Sequence, residues 1–109
     1  MKKLAFVFLL IVLFAVSAFA NSPKSRIANF SGAKVHFQET GKGKKALILV
    51  HGWTCNADFW KESINAFPEY RVIAVDLPGH GKSDKPKTDY SMEYFAKSIA
   101  AVMKEAKIK

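Results

Sequence analysis

His51-Gly52-Trp53 follows one apolar run, residues 46–50, and Asp76-Leu77-Pro78-Gly79-His80-Gly81-Lys82-Ser83-Asp84 follows another, residues 72–75. Buried-strand signatures that open into glycine-bearing loops are how an α/β protein presents backbone N–H groups at the carboxyl edge of its sheet. Such N–H groups, aimed at a developing oxyanion, stabilise acyl transfer without reorganising. Glycine at position 52 lets the chain turn sharply as it leaves the strand. The Trp53 amide is then free to face a cleft, with the indole as an apolar wall. The plainer alternative is a simple turn over a buried indole.

Other chemistry is weaker. Gly41-Lys42-Gly43-Lys44-Lys45-Ala46 has the spacing of a dinucleotide loop, but it precedes a strand where that motif must follow one. Gly81-Lys82-Ser83 imitates the end of a phosphate loop, yet the glycine required five positions earlier is Asp76, and Pro86 blocks the helix that must follow. Ser83 has no G-x-S-x-G frame around it. Cys55 is the only cysteine, which excludes an intramolecular disulfide and a cysteine-rich metal site and reads as a small, partly buried thiol. No metal ligand set and no cofactor site are expected.

The elements that must hold these loops read as β-β-β-α-β-α. Residues 26–30 and 34–40 are extended and split by Ser31-Gly32, a hairpin signal. Val35 and Phe37 alternate with Lys34, His36 and Gln38, so the second strand is expected to have one buried and one wet face. The run 47–50 lacks alternation, as suits a strand covered on both faces. A helix is expected over 57–67, capped by Asn56, with Phe59, Trp60, Ser63, Ile64 and Phe67 on one side and Pro68 ending it. Residues 71–76 form the next strand, parallel to the strand of residues 47–50 through a crossover. Ser91 caps a second helix whose stripe is Phe95, Ile99, Val102, Met103 and Ala106.

Residues 1–20 have the layout of a secretory signal peptide: Lys2-Lys3, an apolar stretch from Leu4 to Val16, and Ala18-Phe19-Ala20 at the cleavage site. Residues 21–109 are then the mature part, secreted or periplasmic, without a stable membrane span after cleavage. Losing Lys2 and Lys3 lowers the net charge from +8 to +6. The remaining lysines are scattered and form no stripe, which argues against nucleic acid as a partner.

Taken together, the two loop motifs resemble the α/β-hydrolase superfamily, over about residues 27–109. The resemblance implies a β-hairpin followed by a βαβα unit in a mostly parallel sheet, with strand order 1-2-4-3-5. It gives Trp53 the oxyanion-hole amide, has His51 and Gly52 shape its loop, and has Asp76, Gly79, Gly81 and Ser83 build the second turn. It also matches Trp60 to a tryptophan common in the helix after the oxyanion loop. His51 is structural in such proteins, and His80 is a loop residue.

The same resemblance puts nucleophile elbow, acid and catalytic histidine after the second helix, so no catalytic residue of that triad is expected within 1–109. The expectation is an N-terminal portion of a secreted hydrolase, inactive alone, whose complete relative cleaves a small ester-like substrate by a Ser-His-acid triad. Haloalkane dehalogenation, epoxide hydrolysis and cofactor-free oxygenation are also found on the fold. The rival expectation is a non-catalytic secreted accessory polypeptide, completed by a partner that pairs with the apolar edge of strand 47–50.

Overall fold

A computed structural model describes residues 22–109; the expected export segment lies outside the described residues. Strands β1 (Lys24–Phe30) and β2 (Ala33–Thr40) form an antiparallel hairpin. Its two-residue turn, Ser31-Gly32, has φ of 48° and 78°, the left-handed pair that matches the twist of the flanking strands. β3 (Ala46–Val50) and β4 (Arg71–Val75) pair in parallel, Leu47 opposite Val72 and Val50 opposite Val75. β4 also pairs antiparallel with β2, giving a mixed four-stranded sheet in the order β1-β2-β4-β3. That is the order the resemblance implies for its first four strands.

Helix α1 (Met92–Glu105) begins at Ser91, whose hydroxyl accepts the Tyr94 N–H at 3.0 Å. It lays Phe95, Val102 and Ala106 against Val35, Phe37, Ile73 and Val75 on one face of the sheet. On the other face, Leu49, Val72 and Ala74 meet Ala57 and Ile64. No helix of the described residues is long and apolar enough to cross a membrane.

Three expectations are corrected. The helix expected over 57–67 is a single 3-10 turn, Ala57–Trp60, followed by irregular turns. Asn56 does cap it, accepting the Asp58 N–H at 3.0 Å. The apolar stripe is not buried as a unit: Ile64 enters the core and Trp60 packs partly buried against it, while Phe59 stays 65% exposed. Asn65 instead takes a hydrogen bond from the Thr40 hydroxyl, and Pro68 pushes the residue before it away from helical dihedrals. Second, β3 is covered on both faces only in part: Ile48 packs against one core cluster and Leu47 and Leu49 against the other, but only Leu49 is buried and Val50 is 40% exposed. Third, His36 leaves the wet face and is buried, for a reason given by the site below.

At the far end of the sheet, Glu39 joins Arg26 and Arg71, which in turn hold the Glu105 and Ala106 carbonyls at the end of α1. Burial alone would raise the Glu39 carboxyl, but hydrogen bonds and charge from Arg71 and Arg26 outweigh it and hold it below its ordinary value. A lowered folded-state pKa gives stability that is present at neutral pH and is lost on acidification, as the proton is taken up more readily by the unfolded chain. Glu39→Gln is expected to lower the urea midpoint at pH 7. Its deficit against wild type should shrink as pH falls below the ordinary 4.5; a deficit independent of pH would remove Glu39 charge as the cause.

Candidate active site

β3 and β4 end side by side, so the loops 51–56 and 76–84 emerge at one edge of the sheet. Asp76, the residue after β4, is the post around which both are wound. It is 3% exposed. Its Oδ1 accepts the Ala57 N–H at 2.7 Å, and its Oδ2 accepts the Lys82 N–H at 3.2 Å and meets His36 Nδ1 at 2.7 Å. A carboxylate with two backbone donors on it is an acceptor, so His36 Nδ1 carries the proton and donates. This pairing is what draws His36 into the protein.

The glycine spacing of the second loop follows from the same carboxylate. A Cβ at Gly81, where φ is +52°, would stand 2.2 Å from Asp76 Oδ1. Only glycine permits both the left-handed turn and that approach. Gly79, at φ +83°, lies under the Tyr90 ring. Ser83 is buried; its hydroxyl donates to the Asp76 carbonyl and accepts the His36 N–H at 2.8 Å. With its proton committed and its oxygen occupied, Ser83 is part of the frame.

Two histidines clip the loops together. His51 Nε2 accepts the Leu77 N–H at 3.1 Å, so its proton sits on Nδ1 and donates to the Gly52 carbonyl at 2.8 Å. His80 repeats the arrangement in the opposite direction: Nε2 accepts the Thr54 N–H at 3.3 Å, and Nδ1 donates to the Pro78 carbonyl at 3.0 Å. The two rings lie 5.0 Å apart. Thr54 takes φ of 62°, folding the chain back over His80. Sequence reading passed over His80 as a loop residue; a histidine between two turn glycines was the available signal.

Between the loops lies a recess of about 370 Å³ lined by Trp53, Thr54, Cys55, Gly79, His80 and Tyr90, among others. Trp53 is 70% exposed, its ring centroid 5.5 Å from that of His80 in a T-shaped pair, so it is not the buried indole of the plainer alternative. Among the described residues its amide donates no hydrogen bond, whereas the amides of Thr54 and Cys55 both do. A larger cleft, about 740 Å³, opens at the other end of the sheet beside Thr40, Gly41 and Tyr70, away from both loops. The described residues contain no group of three or more His, Cys, Asp or Glu side chains placed to hold a metal.

A family model described as the alpha/beta hydrolase fold matches residues 45–109, from the start of β3 through α1 and so across both loops. The chain belongs to the α/β-hydrolase fold family. Among its relatives, a non-heme chloroperoxidase of Streptomyces lividans is 33% identical over 79 residues, covering 70% of this chain and 29% of the relative. A pimeloyl-[acyl-carrier protein] methyl ester esterase of Photorhabdus laumondii is 39% identical over 54 residues, 49% of this chain and 21% of the relative. Of solved α/β-hydrolase structures, the epoxide hydrolase CorEH superposes with a TM-score of 0.73 at 30% identity, covering 78% of this chain and 30% of that one. The chain thus spans less than a third of the length of each of these family members.

Proposed function

We propose that this α/β-hydrolase segment supplies the oxyanion side of an acyl-bond hydrolase site, acting on a small ester-like substrate. The observation that carries the reading is the Trp53 N–H, unengaged among the described residues and set on a loop held from both sides by His51 and His80. A substrate carbonyl seated in the recess would gain that donor as its oxygen becomes negative, while the clipped loop need not move. In this reading residues 1–109 do not supply the attacking serine, its histidine or its acid, and by themselves are inactive toward such esters. The leader over 1–20 directs the protein to a secreted or periplasmic location. The reading implies no metal or organic cofactor.

A second reading, an accessory polypeptide completed by another chain, draws on the exposure of Val50 on the edge strand β3. A segment exchange separates the two. Residues 45–109 replace their counterpart in an α/β-fold esterase, and hydrolysis of a p-nitrophenyl ester is followed. Retention of kcat within about tenfold, or about 1.4 kcal/mol in the barrier, is expected. A folded but inactive exchange product would sink the hydrolase reading.

A further inference from the structure

His36, held by Asp76, makes one more contact that the oxyanion loop does not need. Ser25 and Ile27 project from the same side of β1, and Ile27 pairs with His36 in the hairpin register. This sets Ser25 diagonally across from the imidazole, with its Oγ 3.0 Å from His36 Nε2. In the neutral imidazole whose Nδ1 donates to Asp76, Nε2 holds a lone pair and accepts from the Ser25 hydroxyl. The geometry points to Ser25 as a nucleophile of its own, activated by His36 as base and Asp76 as orienting acid, that accepts acyl or phosphonyl groups from activated reagents.

A hydroxyl, an imidazole and a carboxylate in this order and direction are the arrangement that activates serine on unrelated folds, where it is recognised by geometry and not by sequence position. Base and acid are shielded, His36 at 4% and Asp76 at 3% exposure, while Ser25 stands exposed on the sheet-edge strand. Neither Ser25 nor His36 lines the recess beside Trp53, so the inference stands apart from the reading of that loop. An exposed strand offers an incoming carbonyl no recess, so the class of donor is a small aryl ester or fluorophosphonate whose leaving group departs readily. One adduct per chain is expected, without turnover.

With a fluorophosphonate, the Ser25 Oγ–P bond forms as the P–F bond breaks. Fluoride leaves with the electron pair, and the hydroxyl proton passes to His36 Nε2, where the resulting imidazolium faces Asp76. With an aryl ester, the new bond is Oγ–C and the phenolate leaves.

The test is labelling of the full chain with a fluorophosphonate near neutral pH, with adducts mapped by peptide mass spectrometry. Ser22, exposed three residues earlier, is the internal reference. Ser25 should react about 100-fold faster than Ser22, the lower end of what a positioned general base contributes. Denaturing urea or His36→Gln should erase the difference. Equal rates at the two serines, or a Ser25 rate that survives urea, overturns the proposal. Because His36→Gln also frees β2 from Asp76, Ser25→Cys and Ser22→Cys provide a comparison with His36 intact. Iodoacetamide should alkylate Cys at 25 about tenfold faster than at 22; equal alkylation again overturns it.

Discussion

Asp76→Ala is expected to cost about 2–6 kcal/mol of folding stability, from the two buried donors it leaves unpaired. The substitution strands the Ala57 N–H and the protonated Nδ1 of His36, both buried, and the Lys82 N–H nearer to water. Each buried donor left unpaired costs about 1–3 kcal/mol. A domain of this size buries a modest share of its surface and has little stability to lose. Loss of the cooperative urea transition is the result to look for, with Asp89→Asn, an exposed position, as a control expected within about 0.5 kcal/mol of wild type. Asp76→Asn should fall between. Its amide can still accept from Ala57, but its NH2 then faces His36 Nδ1–H unless the imidazole moves its proton to Nε2. A shift below about 1 kcal/mol for Asp76→Ala would mean that the loops are not organised around this carboxylate.

The same carboxylate explains what could and could not be read from the residues. Strand and helix α1 were legible because period-2 and period-3.6 patterns report burial against a sheet. Val35, Phe37, Phe95, Val102 and Ala106 all lie in the core. His36 was misread because alternation assigns polar residues to the solvent face and carries no information about a partner forty positions away. The segment 57–67 was misread for a different reason. Its apolar residues have helical spacing, but only Ala57 and Ile64 are buried against the sheet, with Trp60 partly so, and spacing cannot say how much surface is available for packing. The second loop was legible because Gly79 and Gly81 are demanded by backbone geometry, which leaves a mark in sequence; Gly52 in the first loop has no left-handed φ and open space where a Cβ would stand. Of the histidine clips, the resemblance offered His51 as loop-shaping, whereas the His80 clip was not legible, since it depends on a tautomer and a backbone donor in the opposite loop.

Within a complete hydrolase carrying this segment, Trp53→Pro is expected to lower kcat by about 10²–10³-fold, the cost of one oxyanion donor. Proline removes the N–H and leaves the carbonyl. Trp53→Ala keeps the N–H and removes an indole that is 70% exposed and touches His80 by its edge, so its effect should be no more than about tenfold. A donor that acts only as charge develops lowers kcat and kcat/KM together and leaves KM nearly unchanged. The proline variant must retain its urea midpoint to within about 1 kcal/mol for the comparison to count. It has a reason to do so, because the hydrogen bonds that fix the loop belong to Gly52, Thr54 and Cys55 and not to the Trp53 amide. Equal losses for alanine and proline would transfer the role from the peptide nitrogen to the side chain. A rise in KM alone would make position 53 a binding contact, and the recess would then recognise substrate without stabilising its oxyanion.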